Sequence, residues 1–307
     1  MSIRCYLLSP RGFCSGVHRT VNMAEQVSKL YGTFYITEDI IHNRIFMSGM
    51  VKHGVVKVAS LDEVPNGGVV MFSAHGVPPH LVAKAEEMGL TIIDGTCPVV
   101  KAIQCEIAKE VCFGKKIIII GDRAHAEVIA FIGVANGSSD VFVVSSEADV
   151  ELLPSFDGEG VSYFTQTTFD YAKLQLIIKK LYEKVPHLKS GSPDNVCHAT
   201  RERQEVVRKI AASVDLVIVI GSAHSSNAKR LHEVAISSGA KNAILIDSKN
   251  EFDSCVLDGV DTIAVTSSAS TMEVVVQEFT EYIATTFGAV IEDFSFSGDK
   301  SEDDNNE

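Results

Sequence analysis

The chain has 307 residues, of which 46% are apolar, and its formal net charge at pH 7 is −13. Nucleic acids and anionic membranes bind basic surfaces, so this charge argues against both as partners. The longest apolar runs, Ile117–Ile120 and Leu216–Ile220, are far shorter than the roughly 20 residues that span a bilayer. Because the N-terminus lacks a basic and then apolar signal segment, we expect a soluble, cytoplasmic protein.

Short runs rich in β-branched residues alternate with patterns of helical spacing along the chain. Twelve strands are predicted, at residues 3–8, 33–36, 55–58, 69–72, 91–93, 116–120, 141–144, 161–164, 195–197, 216–220, 243–246 and 262–265. Eight helices are predicted, at residues 17–30, 79–88, 99–112, 126–135, 169–184, 201–213, 227–237 and 272–286. Runs such as Ile117–Ile120 show no polar alternation, which predicts an α/β protein whose parallel sheets are covered by helices on both faces.

Three of the seven cysteines share one kind of position, in a turn between the end of a strand and the start of a helix: Cys14, Cys97 and Cys197. The helix dipole and free backbone N–H groups favour an anion there, which predicts a lowered thiol pKa. Three thiolates from three helix starts suit a metal centre with one open position. Zinc with a bound water and a cubane iron–sulfur cluster both meet that count. The remaining cysteines are interpreted as structural: Cys5, Cys105, Cys112 and Cys255.

The spacing of these three cysteines suggests three units of similar size. Cys97 lies 83 residues after Cys14, and Cys197 lies 100 residues after Cys97. We therefore predict three pseudo-symmetric α/β lobes around a central site, over residues 14–96, 97–193 and 194–292, with residues 1–13 joining the third lobe; length alone would favour two domains. Residues 184–194 have the composition of a linker, and residues 293–307 form an acidic tail that is predicted to be disordered.

Polar residues concentrate in the turns that follow six of the predicted strands, where an open α/β sheet binds its ligands. Ordinary N-capping explains one such turn, but six in succession, three of them with a histidine, favour a site for a phosphate-type anion. Glu127, two residues after His125, is either a first-turn acid or a proton donor whose pKa an anionic ligand raises. No nucleotide-binding glycine fingerprint occurs in the sequence.

Short segments along most of the chain carry a resemblance to a known family. They are residues 10–17 (PRGFCSGV), 41–43 (IHN), 72–77 (FSAHGV), 96–98 (TCP), 125–128 (HAEV), 165–168 (TQTT), Cys197 with 199–200 (AT) and 203–205 (RQE), 221–222 (GS), 225–227 (SSN) and 269–270 (AS). In these segments the chain resembles the 4-hydroxy-3-methylbut-2-enyl diphosphate reductase family, also called IspH or LytB, of the non-mevalonate isoprenoid pathway. The segments follow one another in family order.

The resemblance implies an enzyme that encloses a [4Fe–4S] cluster held by Cys14, Cys97 and Cys197. It implies the reductive dehydroxylation of (E)-4-hydroxy-3-methylbut-2-enyl diphosphate to isopentenyl and dimethylallyl diphosphates, with the substrate hydroxyl on the iron that has no cysteine. Glu127 would supply the proton, and Thr167 would order the hydroxyl end. The residues that would bind the diphosphate are His42, His75, His125, Ser225, Ser226, Asn227 and Ser270. The resemblance also implies a ferredoxin or flavodoxin as electron donor.

Two other functions are compatible with the residues taken by themselves. A zinc-dependent hydrolase or lyase of a small phosphate ester would use the same three cysteines and a zinc-bound water. A non-catalytic iron–sulfur sensor would need the cysteines but not Glu127 together with an anion pocket. Hydrolysis without a reductant would favour the first, and ligand binding without turnover would favour the second.

Overall fold

The computed structural model describes residues 3–135, 140–156, 160–185, 187–191 and 196–295. Strands and helices alternate through these ranges. The strands are β1 Arg4–Ser9, β2 Phe34–Ile36, β3 Val55–Lys57, β4 Val69–Phe72, β5 Thr91–Asp94, β6 Lys116–Ile120, β7 Val141–Val144, β8 Val161–Thr165, β9 Lys189–Ser190, β10 Leu216–Ile220, β11 Ala243–Ile246, β12 Thr262–Ser267 and β13 Val290–Ser295. The helices are α1 Ser15–Tyr31, α2 Arg44–Lys52, α3 Pro79–Glu87, α4 Pro98–Cys112, α5 Ala126–Val134, α6 Glu147–Glu151, α7 Tyr171–Lys184, α8 His198–Ile210, α9 Ser226–Ser237 and α10 Glu273–Phe287.

Three fully parallel sheets confirm the predicted fold class. Their strand orders are β3-β2-β4-β5, β7-β6-β8-β9 and β11-β10-β12-β1-β13. In each sheet the first strand that follows a cysteine turn, β2, β6 or β10, lies between the second and the third, and a fourth strand pairs with the third. In the last sheet that fourth strand is β1, and β13 pairs with its other side. The strand order therefore reverses between the first and third strands of every lobe, which is where α/β sheets bind ligands.

The four isoleucines of β6 show why continuous apolar runs predict strands covered on both faces. Ile118 and Ile120 pack into a core under α7, while Ile117 and Ile119 pack into a second core under α4 and α5. All four are fully buried. Because each buried isoleucine side chain contributes about 1.5–3 kcal/mol, this strand anchors its lobe to helices on both sides.

Each connection from one lobe to the next passes through one of the three cysteine turns. The helix that follows the turn packs against the sheet of the next lobe. Helix α1 packs on β2 and β4, α4 packs on β6 and β8, and α8 packs on β10 and β1. The cysteines therefore lie at the junctions of the lobes, where residues from all three lobes meet.

The first strand behaves as the sequence predicts, because β1 pairs on one side with β12 and on the other with β13. Cys5, on β1, is fully buried in the apolar core and has the structural role that we expected. Within the described ranges no helix is both long enough and apolar enough to cross a membrane.

Several predicted elements need correction. The strand predicted at residues 195–197 is wrong where the structure describes it, since residues 196 and 197 belong to no strand; the fourth strand is the two-residue β9, inside the predicted linker. Helices α2 and α6 and strand β13 were not predicted. β9 is polar and β13 lies at a mostly exposed sheet edge, so neither forms an apolar run. Residues 192–195 and the tail after Ser295 lie outside the described residues.

Candidate active site

Each of the three cysteines is the N-cap residue of its helix, α1, α4 or α8. In each case the cysteine N–H donates to a carbonyl in the turn after the third strand of the lobe that it leaves. The three bonds are Cys97 to Ala74 at 3.0 Å, Cys197 to Thr167 at 3.1 Å and Cys14 to Ala269 at 3.1 Å. The same backbone bond thus recurs three times and ties each cysteine turn to a polar turn. Cys14 also accepts from the Val17 N–H at 3.4 Å.

The cysteine turns bring sulfur atoms from different lobes to one place. A Cβ atom at Gly16 would lie 2.5 Å from the Sγ of Cys97, so glycine leaves room there for the Cys97 thiol; the Sγ of Cys14 would lie 4.0 Å from the same Cβ, at ordinary contact distance. In the parts of the chain that are described, no three His, Cys, Asp or Glu side chains are arranged to hold a single metal ion. Burial raises the pKa of the Cys97 and Cys197 thiols despite the N–H groups of their helix starts. The predicted lowering is therefore wrong for these two residues.

Three histidines from two lobes gather at the other end of the same cavity. The rings of His42 and His75 stack with centroids 4.1 Å apart, and the ring of His125 stands edge-on at 5.9 and 5.7 Å from them. Burial is the main cause that lowers the pKa of each ring, to about 4 for His125 and well below its ordinary value for His75. Near neutral pH the cluster is therefore uncharged, and a bound anion would raise these pKa values.

Glu127 is only 1% exposed, lies near His125 and influences the Cys197 thiol electrostatically. The backbone N–H of Thr167 donates to its Oε1 at 3.0 Å, and the Thr167 hydroxyl donates to its Oε2 at 3.1 Å. Burial raises the pKa of the Glu127 carboxyl to about 7, although both bonds from Thr167 oppose that shift. His125 Nδ1 is 3.9 Å from the carboxylate. That contact is not an ion pair near neutral pH, because burial keeps the imidazole neutral.

The third lobe contributes hydroxyl and amide groups. Ser225 caps α9 by accepting from the Ala228 N–H, and the Ser270 hydroxyl lies 3.3 Å from the Ser225 hydroxyl. Asn227 is 4% exposed, and neither its amide nitrogen nor its amide oxygen has a hydrogen-bond partner among the described residues. Buried polar groups are almost always paired, so an unpaired amide that lines a cavity can still form hydrogen bonds with a molecule in it.

All twelve residues that the sequence singled out line one cavity. They are Cys14, His42, His75, Cys97, His125, Glu127, Thr167, Cys197, Ser225, Ser226, Asn227 and Ser270. Apolar side chains complete its walls, including Val17, Val99 and Val100. The histidine, glutamate, threonine and serine residues all come from turns after the first and third strands of a lobe, where the strand order reverses. The cysteines all follow the fourth strand.

Two supporting residues were missed as members of the site. The buried side chain of Gln166 accepts from the Asp122 N–H and donates to the hydroxyls of Thr168 and Ser226, which joins the second lobe to the third. Asn43 caps α2 and donates to the Ser270 carbonyl at 2.6 Å, which joins the first lobe to the third. Both residues lie in segments that resemble the family, and that membership is the sequence signal that could have indicated them. Their role in joining lobes was not predictable from local sequence, because the partners Asp122, Ser226 and Ser270 are distant along the chain.

The fold and cavity define a three-lobed α/β enzyme whose central site combines three thiols, a buried acid and a cluster of histidine, serine and asparagine side chains. A model of the LytB protein family matches residues 5–284. The chain therefore belongs to the LytB protein family, whose cofactor is of the iron–sulfur type.

Curated relatives are similar over nearly the whole chain. A 4-hydroxy-3-methylbut-2-enyl diphosphate reductase of Actinobacillus pleuropneumoniae serotype 5b (strain L20) is 38% identical over 281 residues, covering 91% of this chain and 89% of the relative. The reductase of the same name from Tropheryma whipplei (strain TW08/27) is 39% identical over 285 residues, covering 92% and 90%. The chain is thus similar to whole reductases and not to a fragment of them.

A solved structure shows the same arrangement of the chain. The E-1-hydroxy-2-methyl-but-2-enyl-4-diphosphate reductase from Plasmodium falciparum superposes with a TM-score of 0.93 at 33% identity, and the match covers 97% of this chain and 93% of that one. A second structure, described as the terminal enzyme of the non-mevalonate pathway, matches with a TM-score of 0.65 at 27% identity. It covers 92% of this chain and all of that chain.

Proposed function

We propose that this chain reduces (E)-4-hydroxy-3-methylbut-2-enyl diphosphate to isopentenyl and dimethylallyl diphosphates, the last step of the non-mevalonate isoprenoid pathway. The single observation that carries the proposal is the convergence of three N-cap cysteines, a buried acid and an anion-binding end on one cavity. In this reaction the allylic C–O bond breaks, two electrons and two protons are consumed, and one water leaves. The relatives named for this activity support the same assignment.

Cys14, Cys97 and Cys197 are proposed as the ligands of a [4Fe–4S] cluster. The residues fit such a group, because the three cysteines line one cavity from three helix starts and Gly16 leaves space beside the Cys97 thiol. Helix starts favour the negative charge of a cluster with thiolate ligands. When bound, the cluster supplies the electrons and, at the iron without a cysteine, a Lewis acid for the substrate hydroxyl.

The diphosphate is proposed to bind at the opposite end, among His42, His75 and His125 and the start of α9. Ser225, Ser226 and Asn227 present hydroxyl, amide and backbone donors there, and Ser270 adds a further hydroxyl. Neutral histidines accept protons as the anion enters, so they gain charge only when a ligand is present. This arrangement holds the substrate by its charged end and directs its short hydrocarbon toward the cysteines, which supplies proximity and orientation.

Glu127 is proposed as the proton donor, with Thr167 holding its carboxyl group in place. A carboxyl with a pKa of about 7 is partly protonated at neutral pH. It can therefore donate a proton to the leaving oxygen and afterwards take up another proton from solvent. The two bonds from Thr167 fix both carboxyl oxygens, which orients the acid within the cavity. Ferredoxin or flavodoxin is proposed as the electron donor.

The proposal is tested by anaerobic purification, iron and sulfide analysis, Mössbauer spectroscopy and an assay with the allylic diphosphate and a chemical one-electron reductant. We expect about four irons per chain and the two isoprenoid diphosphates by mass spectrometry. A colourless protein that binds zinc stoichiometrically and no iron after anaerobic reconstitution would contradict the proposal. So would hydrolysis of the diphosphate ester without reductant, or substrate binding that never leads to turnover.

A further inference from the structure

A buried arginine joins two of the cysteine turns. Arg203, on α8, is 3% exposed. Its Nη1 donates to the Ala199 carbonyl at 2.9 Å, two residues after Cys197, and its Nη2 donates to the Gly12 carbonyl at 2.8 Å, two residues before Cys14. The guanidinium therefore lies between two turns that come from different parts of the chain and ties their backbones together.

No carboxylate balances this charge within the described ranges. Arg203 forms no ion pair there, and its Nε has no hydrogen-bond partner. Arg208, on the same helix, shows the usual arrangement, since its guanidinium bonds the Asp170 carboxylate at 2.8 Å. A buried cation that only carbonyl dipoles compensate is costly, because desolvation of a charge is repaid mainly by an opposite charge.

Through its two carbonyl bonds the Arg203 guanidinium is held beside the turns of Cys14 and Cys197. Burial lowers the pKa of the guanidinium, and the electrostatic interaction with Cys14 is the largest influence that opposes this shift, with Glu202 and Cys197 following. The Glu202 carboxyl is turned toward solvent and His198. The guanidinium is therefore positioned to balance the negative charge of a metal centre bound by the cysteines, and no protein carboxylate in the described ranges does so.

We propose that Arg203 is a positioning residue and the buried counter-charge of the metal centre held by Cys14, Cys97 and Cys197, an inference that rests on the proposed function. Each electron added to a thiolate-ligated iron–sulfur centre adds one negative charge. A fixed cation in a dry environment favours that added charge far more than a cation in water does. Arg203 thus holds the reduction potential of the centre at a higher value and keeps two of its ligand turns together.

The first test measures the reduction potential of the reconstituted centre by anaerobic dithionite titration in four proteins: wild type, Arg203→Lys, Arg203→Met and the control Arg201→Gln. We expect Arg203→Met to shift to a more negative potential and Arg203→Lys to keep most of the wild-type value. Arg201, partly exposed and paired with Glu205, should change the potential little, because water screens its charge. A wild-type potential in Arg203→Met, or a lysine variant shifted as far as the methionine variant, would overturn the inference.

The second test compares thermal unfolding of wild type and Arg203→Met with and without iron. We expect the substitution to lower the unfolding temperature of the iron-containing protein more than that of the metal-free protein, because only the former supplies the counter-charge. An equal loss in both forms would assign Arg203 a purely structural role. If Arg203→Met assembles no centre, a metal-free form as stable as wild type supports the inference, and a metal-free form that is unfolded contradicts it.

The two tests also separate this inference from the proposed function. A wild-type protein that takes up no iron refutes the proposed function, and with it the role of Arg203. A wild-type protein that holds the centre and turns over substrate, but whose potential does not depend on Arg203, refutes only the inference.

Discussion

The two ends of the cavity are built by the same three-fold topology but differ in how their side chains are held. At the polar end, the side chains are already bonded to one another, as in the Glu127–Thr167 pair and the Gln166 network. At the cysteine end, the backbones are tied by three equivalent bonds from the cysteine N–H groups, while the side chains make few contacts with polar protein groups. One end is organised through side chains and the other through the main chain.

The two ends of the cavity also differ in their electrostatic charge. Histidines with lowered pKa values and a glutamic acid with a raised one are uncharged or partly charged near neutral pH. The cysteine end carries three helix starts, none with an acid in its first turn, and the buried Arg203 behind them. The polar end can thus gain positive charge as an anion binds, whereas the cysteine end has permanent positive character that suits a permanent anionic group.

Replacing a cysteine of the triad should have the largest effect. We expect Cys97→Ser to lose the iron–sulfur centre and all reductase activity, because Cys97 is one of the three proposed ligands and serine is a poor ligand for iron in this setting. The matched control is Cys105→Ser, since Cys105 is exposed on the same helix and outside the cavity. Iron and sulfide analysis checks both variants. An intact centre in Cys97→Ser would show that the cysteine end is not the ligand set.

Glu127→Gln tests the polar end independently of the cysteine end, because it removes the proton-donating carboxyl and leaves the three cysteines in place. We expect kcat to fall about 10²–10⁴-fold, the usual contribution of a positioned acid, while iron content stays at the wild-type level. Glu147→Gln, at an exposed first-turn position in the same lobe, is the control. Turnover at the wild-type rate in Glu127→Gln would mean that the proton comes from another group.

The histidine cluster predicts proton uptake when an anion binds. Its pKa values are lowered by burial in the free protein, and an anion raises them, so protons move from buffer to protein on binding. Affinity for inorganic diphosphate should therefore weaken as the pH rises from about 6 to 8. Calorimetry in buffers with different ionisation enthalpies measures the uptake, and His125→Asn should take up about one proton fewer. Identical uptake by wild type and His125→Asn would exclude this ring from the charge change.

The smallest expected effect concerns the bond between the first and third lobes. Asn43→Ala removes the N-cap of α2 and the donor to the Ser270 carbonyl, which should lower the free energy of unfolding by about 1–2 kcal/mol. Asn43→Ser restores the N-cap, but the shorter serine side chain does not extend to the Ser270 carbonyl. Urea unfolding measures the stability of wild type and both variants, and a binding assay measures their affinity for diphosphate. Equal diphosphate affinity in wild type, Asn43→Ala and Asn43→Ser would show that the hydrogen bond from Asn43 to Ser270 stabilises the fold without affecting the diphosphate-binding residues.

The sequence predicted elements best where packing leaves an apolar run. The isoleucines of β6 and the five-residue β10 are buried on both faces, so their composition alone predicts covered strands. The short β9 and the edge strand β13 carry no such signal, because backbone pairing with a neighbouring strand stabilises them more than side-chain burial does. Helix α2 begins at a cap that is completed by a contact to a residue more than 200 positions away.

For the site, the sequence by itself determined which residues were expected there, and all of them line one cavity. Turns between strand and helix place Cys14, Cys97 and Cys197 at helix starts, and local geometry is readable from local sequence. Only the tertiary structure decided how these residues are charged and what supports them. Burial overrides the helix dipole at Cys97 and Cys197, raises the pKa of Glu127 and leaves Arg203 without a carboxylate partner in the described ranges. Desolvation depends on every neighbour that excludes water, and those neighbours come from all three lobes.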